Sequence, residues 1–182
     1  MERIFNKINE LLKTKDFVVV TIDGCAASGK TTLANMLKEK YQCEVVRMDE
    51  FFLPLEKRTT ERLNTPGGNI DYERFKESVI DKLGSSFSYG VFNCSIMKID
   101  KEVFINSSKL IIIEGSYSMH PYFGKYYDLS IFLDVDKDEQ INRIRNRNGE
   151  KLLEMFVNKW IKYEECYHDY YNIKSLADVY LK

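Results

Sequence analysis

No apolar run in this chain approaches the roughly 18 residues needed to cross a bilayer. None of its four cysteines falls in a CxxC spacing or beside a histidine pair. The first absence argues against a membrane span. The charged start, Met1-Glu2-Arg3-Ile4-Phe5-Asn6-Lys7, argues against an export signal. The second absence argues against a disulfide framework or a thiolate metal site. Cys25, Cys43, Cys94 and Cys166 are therefore expected as buried or incidental thiols in a reducing, cytoplasmic setting. An excess of one charge is also lacking: 27 basic residues face 28 acidic ones, a net charge of -1. General attraction to nucleic acid or an anionic membrane is not expected. There are no internal repeats, low-complexity tracts or linkers. A 182-residue chain with 44% hydrophobic and 30% charged residues reads as one globular domain, 1–182, with a good core.

What the chain does have is Gly24-Cys25-Ala26-Ala27-Ser28-Gly29-Lys30-Thr31-Thr32, a full GxxxxGK[ST] loop. The run Phe17-Val18-Val19-Val20-Thr21-Ile22 before it is apolar and β-branched, as a buried strand is. After it, Thr32-Leu33-Ala34-Asn35-Met36-Leu37-Lys38 carries apolar residues at helical spacing. Strand, glycine loop and helix are the context in which this pattern binds phosphate. Gly24 and Gly29 let the backbone turn and aim the N–H groups of residues 26 to 32 at an anion. Lys30, expected to be exposed, reaches the outer phosphates, and the Thr31 hydroxyl faces Mg²⁺. The ligand expected is ATP or another nucleoside triphosphate, with Mg²⁺.

Further along, Glu44–Met48, Leu110–Gly115, Leu129–Asp134 and Ala177–Leu181 read as strands. Ile4, Phe5, Ile8, Leu11 and Leu12 form the stripe of a first helix. Residues 53–71 read as an irregular surface segment. Asp71 is a plausible N-cap for a helix through Leu83. Residues 87–105 alternate like a hairpin. Lys137 to about Tyr171 is helical in pattern, interrupted near Asn148-Gly149. Strands alternating with helices predict an α/β fold of three layers around a mostly parallel five-stranded sheet, with a small hairpin and lid region, the lid near 143–160.

Lys30, Asp49 and Glu114 all fall at or just beyond the carboxyl ends of predicted strands, where such sheets gather ligands. Glu114 is placed to hold the magnesium shell, and a solvent-facing strand-end acid is its alternative. Asp49 can accept the hydrogen of an attacking hydroxyl, or merely cap a turn. Arg143, Arg145 and Arg147, three within five residues, suit a helix edge turned toward anions or a solvated basic face. Phe51, Phe52, Tyr72, Tyr89, Tyr117 and Tyr122 include candidates for a pocket around a flat base. His120 is a candidate acceptor contact or a structural histidine.

The loop, together with Met48-Asp49-Glu50-Phe51-Phe52-Leu53-Pro54, Pro66-Gly67-Gly68-Asn69-Ile70-Asp71-Tyr72-Glu73-Arg74-Phe75 and Ile113-Glu114-Gly115-Ser116-Tyr117, resembles the uridine kinase-like branch of the P-loop kinases. The likeness runs from about Phe17 to Lys182. It implies an ATP-dependent kinase acting on a small-molecule hydroxyl, most simply the 5′-hydroxyl of a ribonucleoside. Nicotinamide riboside, pantothenate or a sugar phosphate are alternative acceptors. It implies that Asp49 is the catalytic base close to Mg²⁺ and that Arg143, Arg145 or Arg147 belongs to a lid closing over the phosphates; Lys30 and Arg147 are expected as its catalytic partners and Arg143 at the nucleotide. Thr31, Asp49 and Glu114 are expected around the metal, and Phe52, Asp71, Tyr72, Tyr117 and His120 around the acceptor. Self-association into a homo-oligomer stays open.

The chain departs from that pattern where relatives carry an acidic segment before the helix: Pro66-Gly67-Gly68-Asn69 leaves Asp71 as the only acid. Outside the kinases, a P-loop ATPase or a regulatory nucleotide binder remains an alternative. A GTPase switch would want Asn-Lys-x-Asp, and Asn158-Lys159-Trp160-Ile161 lacks the aspartate.

Overall fold

In the computed structural model, which describes residues 1–182, helix α1 (Glu2–Thr14) seats Ile4 and Ile8 against the sheet. Strand β1 (Val18–Gly24) is buried along its whole length, as its β-branched run predicts. Helix α2 (Lys30–Tyr41) follows the glycine loop, then β2 (Glu44–Arg47) and a 3₁₀ turn over Met48–Phe51. Short helices α3 (Thr60–Asn64) and α4 (Tyr72–Ser78) precede the hairpin of β3 (Phe87–Asn93) and β4 (Lys98–Ile105). Buried strands β5 (Leu110–Glu114) and β6 (Leu129–Leu133) come next. Helix α5 (Lys137–Asn148), α6 (Glu150–Met155), a π-helical turn at Phe156–Trp160 and α7 (Ile161–Tyr170) form the C-terminal helical stretch. The chain closes with α8 (Ile173–Leu176) and β7 (Val179–Leu181).

The five-stranded sheet runs β2-β5-β1-β6-β7, and each pair in it is parallel. Side chains alternate across a strand, so β1 serves two cores. Val18, Val20 and Ile22 join Ile4, Ile8, Leu33 and Leu37 on one face. Val19 joins Phe51, Phe75, Ile113 and Tyr167 on the other. Each such aliphatic side chain, fully buried, contributes about 1.5–3 kcal/mol. The three-layer α/β arrangement is the one expected. No helix is long and apolar enough to cross a membrane.

Three local expectations are corrected. Residues 53–71 are not wholly irregular: Thr59 accepts the Arg62 N–H through its hydroxyl and so caps α3. Asp71 does cap α4, but the helix stops at Ser78, because Val79 leaves helical geometry (φ -124°, ψ -64°) and a 3₁₀ turn continues at Ile80–Lys82. Helix α8 was not predicted. It starts from Asn172 in the left-handed region, a conformation asparagine tolerates.

One polar residue sits at the centre of this packing. Asp23, wholly buried near the end of β1, accepts hydrogen bonds from Gly24 N (2.7 Å), Met119 N (3.0 Å), Tyr117 N (3.3 Å) and Tyr167 Oη (2.9 Å). His168 Nε2 lies 3.4 Å from it. Burial by itself raises the Asp23 pKa. The hydrogen bond and charge of His168, with the Met119 and Gly24 amides, outweigh burial and hold it below the ordinary value. The stability Asp23 contributes is therefore present above the unfolded carboxylate range and lost as pH falls through its folded pKa. Asp23→Ala strands these donors and is expected to cost about 3–5 kcal/mol. Asp23→Asn keeps an acceptor oxygen and should cost less. Urea unfolding at neutral pH checks both, and the gap from wild type should narrow in acid.

Candidate active site

The loop between β1 and α2 depends on two glycines. Gly24 has φ +139°, and a Cβ there would lie 2.0 Å from the Leu133 carbonyl oxygen of the neighbouring strand. Gly29, φ +101°, turns the chain into α2. The loop so formed floors a cleft of about 710 Å³. Ala26, Ala27, Ser28, Gly29, Lys30, Thr31 and Thr32 all line it. Asp49, Phe52, Asn69, Ile70, Glu114 and Tyr117 supply walls, and Arg143, Arg147, Phe156, Trp160 and Glu164 come from the C-terminal helices. These residues lie far apart in sequence and meet because parallel strands end together on one edge of the sheet.

Lys30 is buried, contrary to expectation: its ammonium donates to the carbonyls of Gly24 (2.8 Å) and Cys25 (2.7 Å). Thr31 Oγ1 donates to Glu114 Oε1 at 3.2 Å, and Arg47 Nη1 donates to the same oxygen at 2.9 Å. Arg47 and Glu114 are register partners of β2 and β5, which explains their meeting. Burial, then the charge of Asp49, raises the Glu114 pKa, opposed by Lys30 and Arg47. Asp49 stands exposed in the cleft on the 3₁₀ turn after β2. Its neighbour Glu50 is used structurally, accepting Tyr89 Oη at 2.6 Å.

Thr31, Glu114 and Asp49 offer hard oxygen donors, which suit Mg²⁺. No cluster of three or more His, Cys, Asp or Glu side chains is present that would hold a metal alone. Two carboxylates beside a hydroxyl could serve a cation whose remaining ligands are phosphate oxygens and water. The two like charges, Glu114 and Asp49, are also a pair that a cation would relieve.

The expected acceptor residues divide. Phe52 and Tyr117 line the cleft. Tyr117 holds φ +78°, unusual for an aromatic residue. Asp71, Tyr72 and His120 do not line it. Asp71 is buried, caps α4 through Arg74 N and pairs with Lys57 at 3.1 Å. Tyr72 is sandwiched by Arg62, 3.6 Å from its ring centre, and by the His120 and Tyr122 rings. His120 is buried, with Nδ1 accepting Tyr122 N and Nε2 at 3.2 Å from Pro66 O. Burial lowers its pKa, so it packs as a neutral ring. Among the arginines, Arg143 and Arg147 line the cleft, and Arg143 donates to Ala27 O at 3.1 Å. Arg145 is paired with Glu150 at 2.7 Å.

Asp23 and Glu164 escape a reading of the sequence alone. An acid on the last turn-facing position of an apolar strand is a faint signal for Asp23. Nothing sets Glu164 apart from its acidic neighbours.

No family model matches the chain. It is similar in sequence to the uridine kinase of Ureaplasma parvum serovar 3, 26% identical over 160 residues, covering 78% of this chain and 77% of that protein. Uridine kinase-like protein 5 of Arabidopsis thaliana is 25% identical over 193 residues, covering 89% of this chain and 41% of that protein. In fold, a structure described as a possible uridine kinase from Bacillus stearothermophilus superposes with TM-score 0.71 at 21% identity, covering 99% of this chain and 100% of that one. D-glycerate 3-kinase from Cryptococcus neoformans superposes with TM-score 0.65 at 14% identity, over 91% and 86%. The fold is thus the α/β fold of P-loop kinases. Within it, the chain is similar in sequence and architecture to the uridine kinase-like branch.

A protonated Glu114 cannot help hold a cation, and its raised pKa moves that loss toward neutral pH. The Mg²⁺ concentration needed for nucleotide binding is expected to climb as pH falls through the raised Glu114 pKa, and to do so at a higher pH than for an ordinary glutamate. Glu114→Gln should raise it about tenfold or more at neutral pH and flatten the pH dependence. Calorimetric titrations of nucleotide at graded Mg²⁺ check this.

Proposed function

We propose that this chain is an ATP-dependent kinase that transfers the γ-phosphoryl group to a hydroxyl of a small molecule, the 5′-hydroxyl of a ribonucleoside such as uridine or cytidine. The observation that carries this reading is the convergence of the phosphate loop, Lys30, the Thr31–Glu114 pair and the exposed Asp49 carboxylate on one cleft. The curated relatives named uridine kinases support the choice of acceptor.

Phosphoryl transfer asks little covalent chemistry of a protein. It requires positioned reactants and neutralised charge. Loop amides and the N-terminus of α2 hold the phosphates. Lys30 leaves the Gly24 and Cys25 carbonyls to reach an outer phosphate oxygen. Magnesium, when bound beside Thr31, Asp49 and Glu114, supplies charge neutralisation across the phosphates. Asp49 accepts the hydroxyl proton as the acceptor oxygen bonds to the γ-phosphorus, and the bond to the ADP oxygen breaks. Phe52 and Tyr117 offer apolar faces for a flat base. Residues 143–160 act as a lid, with Arg143 and Arg147 closing over the phosphates and excluding water.

A second acceptor class has its own support. Asp71, the one acid near the segment where relatives carry an acidic contact, is buried on Lys57 and capping α4, so it is not free for a ribose. A non-nucleoside alcohol fits that observation. A panel of nucleosides, nicotinamide riboside, pantothenate and sugar phosphates, read by ADP release with Mg²⁺-ATP, decides between them. Acceptor-independent hydrolysis would point instead to an ATPase.

Two substitutions test the mechanism. Asp49→Asn keeps shape but cannot take the proton, so kcat is expected to fall by about 10²–10⁴ while calorimetry still shows ATP binding. Arg143→Ala and Arg147→Ala should each lower kcat more than nucleotide affinity, whereas Arg145→Ala should leave kcat near wild type. Steady-state kinetics on the three variants separates a lid from a solvated basic face.

A further inference from the structure

Glu164 stands in the first turn of α7 and projects its carboxylate onto the phosphate-binding loop. Its Oε2 accepts the Ala26 N–H at 2.7 Å, and its Oε1 lies 2.8 Å from Ser116 Oγ. No ion pair in the chain includes Glu164. What holds this acid is therefore uncharged: a backbone amide of the loop, at Ala26, and the hydroxyl of Ser116 just after β5. The amide is a feature by which such a loop holds an anion. At the same time Lys30 is turned back onto the carbonyls of Gly24 and Cys25. The loop's amide and its lysine are both satisfied from within the chain.

We infer that Glu164 is a built-in competitor for the phosphate loop: its carboxylate fills an anion subsite at Ala26 N–H, and a phosphate of the incoming nucleotide takes that subsite as Glu164 withdraws. Carboxylate and phosphate both present oxygens of negative charge to one amide, and the two cannot share it without like-charge repulsion. The withdrawal is local. Tyr167 and His168, one turn further along α7, are held by Asp23. The π-helical turn at Phe156–Trp160 lies just before α7, and such turns interrupt the α-helical hydrogen-bond pattern, frequently at functional sites. Motion of the side chain and the first turn of α7 is thus what frees the subsite. Trp160, which lines the cleft, sits four residues before Glu164 and moves with that turn.

The proposal rests on the nucleotide-binding reading above, and its test separates the two. Mg²⁺-ATP, inorganic tripolyphosphate and adenosine are titrated into the full chain, its Glu164→Gln and its Glu164→Ala variants. Calorimetry is read beside the emission of Trp160, the single tryptophan. Gln retains an oxygen for the Ala26 amide and removes only the charge, so it keeps the local fold. Both variants are expected to bind ATP and tripolyphosphate about five- to tenfold tighter than wild type, as relief of like-charge contact predicts, with adenosine unchanged. Variant affinities for ATP and tripolyphosphate within twofold of wild type, or weaker, would overturn the competitor role. Equal tightening for adenosine would overturn it too, since the effect would not concern phosphate. Failure of wild type and variants alike to bind ATP or tripolyphosphate would remove the nucleotide reading, and the proposal with it.

Discussion

The buried carboxylate of Asp23 is the interaction on which the rest of the site depends. It lies where β1 hands the chain to the phosphate loop. Its two oxygens gather amides from Gly24 on the loop, from Tyr117 and Met119 after β5, and the side chains of Tyr167 and His168 on α7. Three segments distant in sequence, at Gly24, at Tyr117–Met119 and at Tyr167–His168, are thereby fixed to one point. A charge placed in a low-dielectric interior is costly unless its lone pairs are used. Here they are used by groups that must be in place for the cleft to exist, which ties the cost of burying the charge to the shape of the site.

Around that anchor the cleft's charges are arranged in opposed pairs. Lys30 is drawn to loop carbonyls, Glu164 to a loop amide, and Glu114 to Thr31 and Arg47. These contacts span 2.7 to 3.2 Å, and under the proposed function they involve groups that the nucleotide or its metal would claim. Such internal pairing avoids leaving buried donors without partners, and under the proposed function it makes nucleotide binding an exchange of partners rather than the filling of a void. Asp49 differs from these: it stays exposed beside the loop, where the proposed transfer to an incoming hydroxyl would need it.

Short-range pattern made much of this legible. The β-branched run before Gly24, the glycine spacing and the helical periodicity after Lys30 act over a few residues, and the structure follows them closely. The same holds for the Ile-rich strand ending at Glu114, the hairpin, and the Asp71 cap. The acceptor side was less legible. Asp71, Tyr72 and His120 looked available because polar and aromatic side chains near a site read alike, whether they face a ligand or one another. Their use on Lys57, Arg62 and the Pro66 carbonyl is a matter of packing.

By itself, the sequence determined the α/β class, the glycine loop leading to Lys30, and the positions of Asp49 and Glu114 at or just beyond strand ends, because hydrophobic period and glycine placement are local properties of the chain. Only the tertiary structure decided that Lys30 is buried on its own loop, that Arg143 and Arg147 line the cleft while Arg145 pairs with Glu150, and that Asp23 and Glu164 both hold amides of the loop. Those outcomes depend on which surfaces the crossovers bring together. Contacts between residues a hundred or more positions apart, such as Glu164 on Ala26, leave no periodicity in the chain from which to read them.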